Sequence, residues 1–124
     1  MKYLCLVYQQ EEEIDALPES EYDAIVDEVL AYREELRKSG HYITSGPLQP
    51  ARTAITIRVR NGKLSITDGP FAETREQLGG FYLIEAADLN DAIRVASKMP
   101  PARLGSIEIR AIKEFDRTQP RRDR

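Results

Sequence analysis

Among 124 residues there is one histidine and one cysteine, so any histidine-based chemistry must run through His41. Other reactive side chains gather in residues 68 to 76, Asp-Gly-Pro-Phe-Ala-Glu-Thr-Arg-Glu. Asp68 can serve there as an acid, a base or an orienting group, on a backbone stiffened by Gly69 and Pro70. The plainer reading is a turn, with the carboxylate bonding nearby amides and Pro70 fixing φ. Glu73 can move a proton, and Arg75 can hold an anion through its two-pronged guanidinium. Phe71 can wall a cavity with apolar surface and strengthen charge interactions inside it. Without a cavity, Glu73, Arg75 and Glu76 make a surface ion-pair cluster that contributes little. His41 follows a helix-stopping Gly40, where a helix-end role competes with catalysis.

Arg33 is the odd residue by periodicity. At 100° per residue it falls amid Val26, Val29 and Leu36, inside the apolar stripe of a helix. A buried arginine is costly unless paired. Its head therefore either snorkels to water or points into a cavity between helix and sheet, toward Glu85, Asp68 or a bound anion. An Arg33–Glu85 pair is the plainest account, since Glu85 shares the alternation of Phe81 and Leu83. Cys5 lies in the apolar run Tyr-Leu-Cys-Leu-Val-Tyr and reads as a small buried hydrophobe. One histidine and one buried cysteine are too few for a metal site, so none is expected. Gly79-Gly80 lacks the lysine and helix start of a phosphate loop, and no cofactor is expected either.

These residues need a scaffold, and the length suits one domain. Hydrophobic residues make up 41% and charged residues 31%, an ordinary globular balance. A net charge of −3 argues against nucleic acid or an anionic membrane as the main partner. Arg58, Arg60 and Lys63 and the arginine-rich tail read as solvated charge. The lone cysteine excludes an internal disulfide and suits a reducing cytoplasm. The short apolar start, followed by Glu11-Glu12-Glu13, is no secretory signal, and no stretch approaches the ~20 apolar residues of a membrane span.

Residues Lys2–Tyr8 and Gly80–Ala86 read as strands apolar on both alternations. The first is followed by an acidic loop. Ser20 can cap a helix ending at Gly40, with Tyr22, Ile25, Val26, Val29, Leu30 and Leu36 on its stripe. His41–Leu48 is a weaker strand. Ala54–Arg60 and Lys63–Thr67 flank Asn61-Gly62, a strong hairpin signal, with Leu64 and Ile66 facing inward. Asp88 caps a second helix whose stripe is Leu89, Ala92, Ile93, Ala96 and Met99, stopped by Pro100-Pro101. Ser106–Ile112 is the last strand. The order is a split β-α-β arrangement with an added hairpin, an α+β, ferredoxin-like antiparallel sheet carrying two helices on one face. The other face is then bare although two of its strands are apolar there. A second copy of the sheet is the economical cover, so a homodimer is expected.

Asp68 to Phe81, DGPFAETREQLGGF, closely resembles the signature of the DGPF branch of the YCII-related family. The stretches GPLQP, IEAADLNDAI and GSIEIRAI are similar to it as well. The likeness covers residues 1–113 and leaves 114–124 as a polar tail. It implies a dimeric α+β barrel with a pocket in each subunit. Relatives of known chemistry in the superfamily act on small lactones or chlorinated aromatics through a histidine and an aspartate. It also maps the family's acidic and basic signature positions onto Glu73, Arg75 and Glu76, with at least one of them expected to face the pocket. Three function classes follow. One is a metal-free lyase or isomerase using Asp68 with His41 or Glu73. The others are a non-catalytic module binding a small anionic or aromatic metabolite near Arg33, Arg75, Phe71 and Glu85, and a structural homodimer.

Overall fold

The computed structural model describes residues 1–123. These residues form six strands and four α-helices in the order β1 (Lys2–Gln9), α1 (Glu11–Asp15), α2 (Glu19–Lys38), β2 (Tyr42–Pro47), β3 (Ile55–Arg60), β4 (Lys63–Asp68), β5 (Gln77–Glu85), α3 (Leu89–Ser97), α4 (Pro101–Leu104) and β6 (Ser106–Ala111). Four strands form one antiparallel sheet in the order β2-β5-β1-β6. Each crossover, β1-α2-β2 and β5-α3-β6, skips one strand, which is the split β-α-β topology expected of the sequence. Among the described residues no helix is long and apolar enough to cross a membrane.

Alternation explains the layering. Tyr3, Cys5 and Val7 of β1 and Tyr82 and Ile84 of β5 point to one face and are buried. They pack against Leu36 of α2, against Ala92, Val95 and Ala96 of α3, and against Met99 beyond it, in one core. The Tyr32 hydroxyl donates to the Val95 carbonyl at 2.7 Å and joins the two helices. The opposite residues, Leu4, Leu6, Tyr8, Phe81 and Leu83, remain half-exposed on the outer face. Burial pushes the Cys5 thiol up to about 11, so it stays a protonated core side chain.

Local expectations needed four corrections. The acidic stretch after β1 is not loop but the short helix α1. α2 starts at Glu19 after Pro18, whose carbonyl accepts from Glu21 and Tyr22, so Ser20 sits inside the first turn rather than capping it. On α3 the buried positions are Ala92, Val95 and Ala96, while Leu89 and Ile93 are about half exposed. Nine residues give too few turns for periodicity to fix the stripe's centre. Finally, β3 and β4 pair only with each other, and Leu64 and Ile66 point to solvent. Asn61 (φ 53°) and Gly62 (φ 75°) do make the two-residue turn that their dipeptide demands.

Candidate functional site

α2 does not close onto the whole sheet. Its C-terminal end seats Leu36 in the core, but its first half stands off and leaves a cavity of about 350 Å³. Ile25, Val26 and Val29 of α2 roof it, Leu17 and Ile14 close one side, and Val7, Gly80 and Tyr82 form the floor. Ser45, Gly46 and Pro47 of β2 line the edge. This accounts for Tyr22 and Leu30 being exposed although they lie on the apolar stripe: both face the cavity rather than packed side chains. The size falls in the lower part of the range for small-molecule sites, about 300–1,000 Å³.

Arg33 is the one charged residue among those lining the cavity. Its Nε is shut off from solvent and has no hydrogen-bond partner among the described residues. The anticipated Arg33–Glu85 pair does not form. Glu85 instead accepts from the Met1 amino group at 3.0 Å, at the exposed end of β5. The reason is alternation: Glu85 follows Ile84 on the outer parity, away from α2. Tyr82 shares the cavity with Arg33. Burial raises its phenol above the usual range, Tyr42 adds to this, and the Arg33 charge partly offsets it. The Tyr42 hydroxyl is taken up by Ser45 Oγ at 2.8 Å.

His41 lies elsewhere. Its Nδ1 is 2.7 Å from Ser39 Oγ and its Nε2 3.1 Å from Asp91 Oδ2, at the junction of α2 and α3. Because a carboxylate only accepts, Nε2 carries the proton of that contact. Asp91 also accepts from the Ala87 amide at 3.0 Å and from Arg94 at 2.6 Å. That amide, then Arg94 and His41, hold its carboxyl well below the usual carboxylate range. Asp88 accepts in turn from the Asp91 amide at 2.8 Å and so caps α3. The amides of Gly40 and His41 are spent on the Arg37 and Leu36 carbonyls, so neither is free to donate to a developing oxyanion. The cluster is a clamp between helices.

Asp68 ends β4, opposite Ile55, and is exposed. The turn after it is held by the Gly69 amide on the Ala54 carbonyl (2.7 Å) and Thr56 Oγ1 on the Gly69 carbonyl (2.9 Å), with Gly69 at φ 101°. Phe71, Glu73 and Arg75 are exposed and do not line the cavity of their own chain. Glu76 accepts from Ser106 Oγ at 2.8 Å, and the Gln77 amide side chain folds back on Thr74. Gln9, Ser45 and Tyr82 are the lining polar residues that sequence reasoning passed over. Tyr82 was detectable, since it shares the inward alternation of Gly80 and Ile84.

A model of the YCII-related domain matches residues 1–116. The chain belongs to the YCII-related family. It is 34% identical over 114 residues to an uncharacterized protein of Rhizobium meliloti (strain 1021), covering 90% of this chain and 92% of that one. Its fold resembles that of 5-chloro-2-hydroxyhydroquinone dehydrochlorinase from Burkholderia phenoliruptrix AC1100, solved with 2,5-dihydroxybenzoquinone. The TM-score is 0.53 at 16% identity, over 93% of this chain and 96% of the enzyme. The two share an α+β fold built on an antiparallel sheet. At that identity the likeness speaks for fold alone.

Proposed function

We propose that this YCII-related protein binds a small, largely apolar monoanion in the cavity under α2, with Arg33 as its counter-charge, and works as a homodimer. The observation that carries the reading is Arg33, the one charged residue lining the cavity, whose Nε has no partner among the described residues. A shielded guanidinium nitrogen left unpaired is costly, and a carboxylate removes that cost by accepting two parallel N–H bonds. A single guanidinium, with no second base among the lining residues, suits a monoanion better than a phosphate. The apolar walls favour a ring or branched chain behind the anionic group. Since about 150 Å³ is enough for benzene, 350 Å³ accommodates one substituted ring.

The second reading is a metal-free lyase or isomerase, favoured by the fold shared with a dehydrochlorinase. Asp68, His41 and Glu73 lie outside the cavity of their own chain. Proton transfer by Asp68 or Glu73 would therefore need the second copy to deliver them, and binding is the role a single chain supports. The homodimer part of the proposal rests on the outer sheet face, where Leu4, Leu6, Tyr8, Phe81 and Leu83 are half-exposed.

The test is calorimetric titration with single-ring carboxylates, their neutral carboxamides and inorganic phosphate. Carboxylates should bind, carboxamides and phosphate should not, and Val29→Trp, which fills the cavity, should abolish binding. Equal affinity for carboxylate and carboxamide, or binding that survives Val29→Trp, would overturn the reading.

A further inference from the structure

We infer that the β3–β4 ribbon is a dimerisation arm whose apolar face packs on a second copy of this chain, flanking the contact between the two outer sheet faces. The inference rests on the homodimer reading above and adds to it a contact that sheet-on-sheet closure does not require. On β3, Ile55, Ile57 and Val59 alternate with Thr56, Arg58 and Arg60. On β4, Ile66 stands opposite Ile57 and Leu64 opposite Val59. One side of the ribbon is thus a block of five aliphatic side chains, each between 55% and 62% exposed. An isolated two-stranded ribbon is marginal in water. The hydrogen bonds at its base, among Ala54, Thr56 and Gly69, join its two strands to each other.

A second copy is the occupant that fits. The outer sheet face of the same chain offers another five half-exposed apolar residues. A two-fold pair repeats every contact, so ribbon and sheet are covered together on both copies. Ten apolar residues per copy suffice for the core of a stable interface, whose full extent is about 20–30 residues a side. Charge points the same way. The polar side and tip of the ribbon carry Arg58, Arg60 and Lys63, whereas the stretch from Glu11 to Asp23 holds seven carboxylates and no base. In a chain of net charge −3, a basic arm draws two copies together where their average charge would part them.

Sedimentation equilibrium of the full chain tests this. Wild type should be dimeric at micromolar concentration. Ile57→Asp with Ile66→Asp places two charges in the proposed contact and should weaken the dimer roughly 100-fold or more. Ser65→Glu, on the polar side opposite Arg58, alters only charge at the rim and should weaken it less than about tenfold. These positions are exposed within one chain, so far-UV circular dichroism should match wild type in each variant. Leu4→Glu, on the outer sheet face, should dissociate the dimer as well. If Leu4→Glu dissociates it while the ribbon variant stays as tight as wild type, the arm is refuted and sheet closure stands. A monomeric wild type refutes both.

Discussion

Replacing Arg33 by methionine separates a binding arginine from a structural one, because the two roles predict stability changes of opposite sign. Methionine keeps most of the apolar stem that packs along α2 and removes only the guanidinium. In the free protein the buried Arg33 Nε has no partner, a situation that costs about 1–3 kcal/mol. Removing it should return at least the lower figure, since the cavity remains lined by apolar side chains. For a chain of this length about 1 kcal/mol corresponds to a rise of roughly 4 °C in melting temperature. Affinity for a monocarboxylate should move the other way. Hydrogen bonds to a charged partner contribute about 1.5–3 kcal/mol each, so losing two of them costs roughly 3 kcal/mol, or about 100-fold in Kd. Differential scanning calorimetry of the free variant and titration with a carboxylate supply both readings. Arg33→Lys retains the charge without the planar fork and should recover only part of the affinity. A variant that melts lower than wild type and binds the carboxylate unchanged would show that Arg33 supports the helix and holds no ligand.

Two other outcomes follow from the geometry. The Asp91 carboxyl titrates below its unfolded range in the native protein, held there by the Ala87 amide, Arg94 and His41. Its stabilising contribution is therefore present above pH of about 4 and lost as pH falls further. Wild type should melt above Asp91→Asn at neutral pH, and acid titration by circular dichroism should show the gap closing below pH of about 4; a gap independent of pH refutes the clamp. At Gly105, a Cβ would come within 2.1 Å of the Tyr8 carbonyl oxygen, backbone that cannot yield cheaply. Gly105→Ala should destabilise by about 3 kcal/mol in urea unfolding, and a change under about 1 kcal/mol would show that the β6 start shifts freely.

The order of the six strands and of α2 and α3, both crossovers and the Asn61-Gly62 turn were legible in the sequence because each rests on local pattern: alternation in β1 and β5, a long apolar stripe in α2, an Asp88 cap on α3; the short helices α1 and α4 were not. The DGPF segment likewise carried the family, as the match over residues 1–116 bears out. Arg33 stood out for the same reason, a charge inside an apolar stripe. What local pattern does not contain is which elements meet. Alternation in β3 and β4 said that one face was apolar, and only tertiary structure decided that this face has no cover in its own chain. Whether Arg33 meets Glu85 depended on the parity of β5 against α2, and His41 found Asp91 fifty residues away. The cavity was the least visible feature. It lies where the first half of α2 stands off the sheet while Leu36 is seated in the core; Arg33 in the stripe hinted at it, but its size and lining follow only from how the elements pack.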